Sequence, residues 1–565
     1  MGNYILALHA GHNSSACIGD ERGILFAIQE ERLNGEKNYW GFPKLAVESC
    51  LRAVSAKPSD VGLVAYGGEQ VIARYHSRDD VLKAYRRQMT VAGKLRQRVA
   101  IPLVLAAAPR YGQSTLKKHL GEVGLGDVPL EHFDHHAAHA ATAYYGLRRE
   151  RKAPYLVLTC DGAGDNLCAT VRVCKDGREE VIATTEWGNS LGAIYSWVTY
   201  AMGFVPLEHE YKLMGMAPYA SSSMADEAAN MFRSYLGLDA SGMRLKRKTW
   251  RRANDLSDRL FADMKGKRFD AICAGLQHFT EELLTEWTKA AVKKTGITHV
   301  VAAGGVFMNV KANKRIGELP EVESFEAFPS CGDETLPLGA YYLAASRRYG
   351  HEKVEPLSHF YFGDAPTDDE ITRALAETSY KHERPANVAK AVVELLAAGH
   401  PVARCAGRME FGARALGNRS ILADPSNQDV VRVINQMVKK RDFWMPFAPM
   451  VREARHREHL VNPKNLRSPY MMMTFDTNEK YREIIAAVHN ADLTSRAQVI
   501  PEGQNPEVEA ILDAFEARTG RPVVLNTSFN LHGFPIVRTA KEALYVFANS
   551  GLEYLQLGDR LVSKG

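Results

Sequence analysis

The sequence predicts an α/β protein of two domains, the first made of two similar lobes. Three observations carry this reading. The chain opens with a strand, a Gly/Ser-rich turn and two further strands, and the same order of elements returns near residue 155. A stretch with neither helical nor strand period then separates residues 1–350 from residues 369–565.

The first meander runs from Tyr4 to His9, turns over Gly11 to Ser15, continues as Ala16 to Ile18 and, after Gly19 to Gly23, ends in the strand ILFAIQEER. That places Glu30 and Glu31 at a strand end, as positioning carboxylates rather than an acid/base dyad. Helices follow at Pro43 to Val54, with proline in the first turn, and at His136 to Tyr145. The second meander is YLVLT (Tyr155 to Thr159), the loop DGAGDN, the strand LCATVRVC and, after a DG turn, EEVIATTEW. An internal duplication explains the repeat. Helices at Gly192 to Met202 and Ile272 to Thr295, the strand THVVAAGG, a helix from Asn309, a strand at Ser324 to Ala327 and a helix at Ala340 to Ser346 complete the first domain. Residues 351–368 read as a linker. Beyond them, helices at Asp369 to Glu377 and Ala389 to Ala398 and the strand PVARCAG begin the second domain.

Composition excludes several function classes. Of 565 residues, Lys and Arg (71) exceed Asp and Glu (66) by only five, too small an excess over so large a surface for a dedicated nucleic-acid binder. The apolar run Ile101 to Ala108 is broken by Pro102 and falls far short of the roughly 20 residues that span a bilayer. The start, MGNYILALHAG, lacks a basic leader, so a cytoplasmic protein is expected. Eight scattered cysteines contain no CxxC pair, which argues against a disulfide scaffold or thiolate zinc and leaves His and carboxylate as the metal donors. Two basic clusters, Lys83 to Arg98 and Arg244 to Arg252, read as a solvated helix and a basic strand or loop.

His135 and His139 stand four apart on an Ala-rich helix and so share a face. Asp161 follows a hydrophobic strand in CDGAGDN, and Asp333 sits in the loop CGDET after another. Together, two imidazoles and two carboxylates would hold Fe, Mn or Zn with positions open for a substrate oxygen. Small turns at Gly11, Gly162 with Gly164, and Gly304 with Gly305 lie at strand ends, where backbone N–H groups can approach phosphate, a pattern resembling the actin-like nucleotide cleft. Lys212, in EYKLMGMAPYA, is a further contributor or a surface lysine. In the second domain Arg408, Arg414 and Arg419 lie among glycines, Lys439 and Arg441 precede FWMPFAP, Arg496 lies in SRAQV, and Ser528 alternates with Asn530 in LNTSFN. Arginine forks grip oxyanions bidentately, so an anion pocket is expected there.

HNSSACI with IQEER, DHHAAHAATAYY, the DGAGD loop, NSLGAIY, YKLMGMA, AGGVFMN, CGDET, GRMEFGARALGNRS, KKRDFWMPFAP, PYMMM, SRAQV and LNTSFN, in this order, resemble the O-carbamoyltransferase family of nodulation-factor and antibiotic biosynthesis across nearly the whole chain. The resemblance implies an N-terminal actin-like domain, a duplicated ribonuclease-H-like fold shared with the tRNA threonylcarbamoyltransferase, fused to a C-terminal YrdC-like domain. It implies that carbamoyl phosphate and ATP, with Mg, give carbamoyl adenylate in the C-terminal domain, and that the carbamoyl group then passes to a hydroxyl of a small-molecule acceptor, a natural product or sugar, at an N-terminal metal site. The resemblance makes His135, His139, Asp161 and Asp333 ligands for Fe(II), or Mn or Zn, and places Gly192, Gly304, Gly305 and Asn309 near the nucleotide. His12 becomes the group that takes the acceptor's proton. Lys439, Arg441, Ser528 and Asn530 would act on ATP and carbamoyl phosphate, joined by Arg408, Arg414, Arg419 and Arg496.

Two positions depart from the family pattern: Asn13 stands where Asp follows the histidine, and Met445 stands where Arg precedes PFAP. Loss of that fork leaves part of the phosphate grip to another group, such as Lys440. A threonylcarbamoyl-type enzyme acting on tRNA and a non-catalytic nucleotide-binding regulator are the rival readings. The oligomeric state, a homodimer included, is left open by the sequence.

Overall fold

A computed structural model describes residues 2–70, 77–90, 92–93, 113–147, 150–439 and 442–564, the side chains of Met437 and Lys439 excepted. The apolar run at 101–108, Lys440 and Arg441 lie outside the described residues. The chain divides into two compact units, Met1–Glu31 with Asn38–Leu357, and Arg32–Lys37 with Ser358–Gly565.

The first unit holds two five-stranded sheets of the same design. In one, β1 (Tyr4–His9), β2 (Ser15–Asp20) and β3 (Gly23–Gln29) form the antiparallel meander, and β4 (Val61–Gly67) and β5 (Leu130–Phe133) add in parallel beside β1, giving the order β3-β2-β1-β4-β5. In the other, β6 (Tyr155–Gly164), β7 (Leu167–Lys175) and β8 (Arg178–Glu186) form the meander. A short ribbon of β9 (Leu236–Leu238) and β10 (Leu245–Arg247) intervenes, and β11 (His299–Ala303) and β12 (Ser324–Ala327) then add in parallel beside β6, in the order β12-β11-β6-β7-β8. The duplication read from the sequence is thus present strand for strand. β1 and β6 sit at the centre of their sheets, which is why ILALH and YLVLT are continuous apolar runs rather than alternating ones.

Three details differ from expectation. The strand expected over ILFAIQEER ends at Gln29 and Glu31–Asn34 is helical, because the Glu30 carboxylate turns away to accept the N–H groups of Leu45 (3.1 Å) and Ala46 (2.7 Å) at the start of the helix Lys44–Ala53. β6 runs on through Asp161 and Gly162 because its pairing with β7 resumes at Gly164 opposite Leu167. Residues 358–368 are not a solvated linker: Phe360, Tyr361 and Phe362 are buried in the second unit, with the Phe360 ring 5.6 Å from Phe411 and 5.7 Å from Tyr470.

The second unit is built on an eight-stranded mixed sheet: β13 (Lys381–Glu383), β14 (Val402–Cys405), β15 (Arg419–Ala423), β16 (Ala448–Arg452), β20 (Gln498–Ile500), β21 (Val523–Ser528), β22 (Tyr554–Leu557) and β23 (Arg560–Ser563), in the order β13-β23-β22-β14-β15-β21-β16-β20. A three-stranded sheet of β17 (Leu460–Val461), β18 (Phe475–Thr477) and β19 (Thr494–Ser495) accompanies it. Along the central strands, neighbouring residues enter opposite cores: Ala403, Ile421 and Leu525 pack with Phe447 and Phe547, while Val402, Leu422 and Val524 pack with Ile511 and Phe515. That period of two, apolar on both sides, marks a sheet covered on both faces. No described helix is long and apolar enough to cross a membrane.

Candidate metal centre

The helix His135–Leu147 begins where the Asp134 side chain accepts the N–H of Ala137 at 2.7 Å, and its many alanines let it lie buried beside β6. His135 and His139 therefore project together towards the end of that strand. The Nε2 of His139 lies 3.1 Å from Asp161 Oδ2 and 3.6 Å from Asp333 Oδ1; the Nε2 of His135 lies 3.3 and 3.6 Å from the same two oxygens. All four donor atoms fall within 4.8 Å of one another, and this is the one such group of metal-ligating side chains among the described residues. His136, on another face, is bound to Thr159 Oγ1 at 2.9 Å and takes no part.

Burial alone would lower the His135 imidazole, but the Asp333 and Asp161 carboxylates outweigh it and push it up to about 9. The same pairing holds Asp161 well below the usual carboxylate range, against the effect of its burial. The cluster thus prefers positive charge between its carboxylates. Two carboxylates and two imidazoles also match, in number and donor type, a four-ligand site for Fe(II), Mn or Zn. The residues fit a divalent ion.

Two residues absent from the sequence reading complete the site. Asp165 Oδ2 accepts the backbone N–H of His135 at 2.7 Å and that of Glu69 at 2.8 Å, while Oδ1 accepts Gln70 N at 2.9 Å. His9, at the end of β1, gives its Nδ1 to the carbonyl of Gly67 at 2.7 Å, and its ring centroid lies 6.4 Å from that of His135. Burial lowers the His9 imidazole to about 4. His12 lies in the β1–β2 turn, half-buried, with its ring centroid 5.4 Å from that of Trp40; burial lowers it, opposed by Asp333 and Asp161. Ser14 N, donating to Tyr39 O at 3.1 Å, ties the two loops.

The glycines expected near the nucleotide gather around Asp161. A Cβ on Gly304, whose φ is 98°, would lie 2.4 Å from the Cys160 carbonyl oxygen, one on Gly305 3.0 Å from Asp161 Oδ1, and one on Gly192 2.9 Å from Gly162 Cα. Asn309 caps the helix Val310–Glu318 and pairs its amide with Gln277, Nδ2 to Oε1 at 2.9 Å and Nε2 to Oδ1 at 3.0 Å. Its side chain is engaged within the protein. Lys212 is buried over the Phe204 ring at 5.0 Å, outside the cluster.

In the second unit the motifs converge on neighbouring strands. β15 closes GRMEFGARALGNRS, β21 carries LNTS and β16 begins within MPFAP, in the sheet order β15-β21-β16. Asn526 Nδ2 donates to Ala415 O at 3.1 Å and to Gln498 Oε1 at 2.9 Å, joining SRAQV to the group. One expected anion ligand is corrected. Arg419 is fully buried, its guanidinium spent on the carbonyls of Asp364, Ala406, Gly407, Asn418 and Arg538, and Arg408 donates to the carbonyls of Phe362 and Gly363. Arg419 braces the loop rather than offering a fork, whereas Arg408 stays exposed. Ser528 Oγ donates to Asn530 Oδ1 at 2.7 Å, so the two share one face as expected but are joined to each other. Arg414, Arg496 and Met445 are half-buried in this unit; the Lys439 side chain and Arg441 lie outside the described residues.

The Carbamoyltransferase N-terminus family model matches residues 4–341, and the Carbamoyltransferase C-terminus model matches residues 393–564. An uncharacterized protein of Methanocaldococcus jannaschii is 29% identical over 99% of each chain. Nodulation protein NolNO of Sinorhizobium fredii is 28% identical over 98% of this chain and 79% of its own, and nodulation protein NolO of Bradyrhizobium diazoefficiens 30% identical over 76% and 79%. With the N-terminal model alone spanning more than half of it, the chain belongs to the carbamoyltransferase family and is a carbamoyltransferase enzyme.

Proposed function

We propose that the protein is an ATP-dependent O-carbamoyltransferase. In this reading the second unit, YrdC-like, uses carbamoyl phosphate and ATP to make carbamoyl adenylate with release of phosphate and pyrophosphate. The first unit, actin-like, then moves the carbamoyl group to a hydroxyl of a small-molecule acceptor. The observation that carries it is the convergence of His135, His139, Asp161 and Asp333 within 4.8 Å in a chain of this family.

His135, His139, Asp161 and Asp333 would hold a divalent ion, Fe(II) first among them. Bound there, the ion supplies Lewis-acid polarisation of a carbonyl oxygen. Asp165 fixes the start of the helix that carries both histidines, through its bond to His135 N. His12, kept neutral by burial, accepts the proton of the acceptor hydroxyl as its oxygen forms the new bond to the carbamoyl carbon and the bond to the adenylate phosphate oxygen breaks. In the second unit Lys439, Arg441, Arg414 and Arg496 supply positive charge to the phosphates, and Ser528 and Asn530 supply hydrogen bonds.

The test is pyrophosphate exchange into ATP by purified, Fe(II)-loaded protein, with and without carbamoyl phosphate. Exchange that requires carbamoyl phosphate supports adenylate formation. Exchange without it, or none in folded protein, overturns the reading.

A further inference from the structure

The basic segment Arg244 to Arg252 packs against residues 187–190, which follow the loop that carries Asp161. Trp187 N donates to Asn166 O at 3.0 Å and Ser190 Oγ to Asp161 O at 3.3 Å, so residues 187–190 run along the loop that carries Asp161. Gly188 is two residues from Ser190, at most about 7 Å along the chain. Two arginines close on that glycine: a Cβ there would lie 3.2 Å from Arg247 NH1 and 3.2 Å from Arg252 Cγ. The Arg252 guanidinium carbon sits over the Trp187 ring, 4.9 Å from its centroid, and Arg247 is held by its backbone N–H on Asn189 Oδ1 at 3.0 Å.

Neither guanidinium has an acidic partner within salt-bridge distance among the described residues, whereas their neighbours Arg244 and Arg251 pair with Asp239 and Asp258. The stretch 244–252 contains no acid. Like charges drawn together without a counter-charge cost free energy, and an oxyanion between them relieves that cost. We propose that Arg247 and Arg252 bind a phosphate-type group on the carbamoyl acceptor, which makes the acceptor a phosphorylated small molecule. This rests on the reading that transfer occurs at the His135/His139/Asp161/Asp333 cluster. The short path from Gly188 to Asp161 suits a sugar phosphate or nucleotide, with the anion on the arginines and a hydroxyl at the cluster.

The probe is ribose 5-phosphate, with ribose as its uncharged partner, measured by calorimetry on the full chain. Expected is binding of ribose 5-phosphate but not ribose, weakened about tenfold or more in Arg247→Ala/Arg252→Ala. Arg247→Lys/Arg252→Lys keeps the charge and loses the forks, and decides the question if the alanine variant does not fold; a loss above about threefold is expected. Equal affinity in wild type and variants, equal binding of ribose, or no binding to wild type overturns the proposal. Wild-type pyrophosphate exchange is run in parallel: its failure removes the proposed function while the anion comparison still decides this site.

Discussion

Asp165 Oδ2 accepts the backbone N–H of His135 at 2.7 Å, and through it the second lobe's β6–β7 turn sets the helix that carries both candidate metal-binding histidines. The same carboxylate accepts Glu69 N and Gln70 N, just after β4 of the first lobe. Asp165→Ala leaves three N–H groups without their charged acceptor. The expected cost is about 2–3 kcal/mol of stability, together with a lower divalent-metal content. Urea unfolding and elemental analysis check both; unchanged metal content would reduce Asp165 to a structural cap.

Arg419 gives a prediction opposite to the usual reading of an arginine in a glycine-rich loop. Its guanidinium holds five carbonyl oxygens in the interior of the second unit. Arg419→Ala strands them, at about 3–5 kcal/mol, so the expected phenotype is unfolding of this unit, read by circular dichroism. A well-folded variant that has lost only ATP binding would restore the ligand role.

Glu210 is half-buried with its carboxylate accepting Leu207 N at 2.7 Å and the Ser196 hydroxyl at 3.2 Å. Burial pushes it up from 4.5 to about 7, against those bonds and with help from Glu208. Because the folded state holds its proton longer than the unfolded state, the stability it contributes is full below about pH 4.5 and is lost as pH rises through 7. Glu210→Gln keeps an acceptor oxygen and cannot ionise. Relative to wild type it should gain on the order of 3 kcal/mol between pH 4.5 and pH 8, measured as urea midpoints across that range. A pH-independent difference would show that Glu210 titrates normally.

Much of the first unit was legible because its signals are local. Tyr4 to His9 and Ser324 to Ala327 lie between turn residues, and they form strands with those same bounds. The repeated meander and the HxxxH pair follow from period alone. What escaped depends on partners remote in sequence. The groups that Arg419 holds come from residues 364, 406, 407, 418 and 538, and Asp165 meets N–H groups from residues 69, 70 and 135. Local pattern makes Arg419 an anion ligand and gives Asp165 no role, and only the fold reveals the backbone that claims them. His9 was hidden for the same reason, since a strand-end histidine gains meaning only when β4 brings Gly67 to its Nδ1.

Gly164 and Gly304 flank the candidate ligands and should fail in different ways. A Cβ on Gly164 would lie 2.2 Å from His135 Cδ2 and Cγ, atoms of a side chain rather than of the backbone. Its backbone lies outside the left-handed region, so Gly164→Ala is expected to fold, displace the His135 ring and weaken divalent-metal binding by about 10–100-fold. Gly304 instead has φ of 98° and faces the Cys160 carbonyl oxygen at 2.4 Å, backbone held in the β6 ladder. Gly304→Ala therefore meets both conformational strain and a clash that cannot move, together at least about 3 kcal/mol. Thermal unfolding and metal titration of the two variants separate the effects: a ligand defect in a folded protein for Gly164, and loss of the fold for Gly304. Normal metal affinity in Gly164→Ala would mean that the His135 ring has room elsewhere, and that His139, Asp161 and Asp333 suffice to hold the ion.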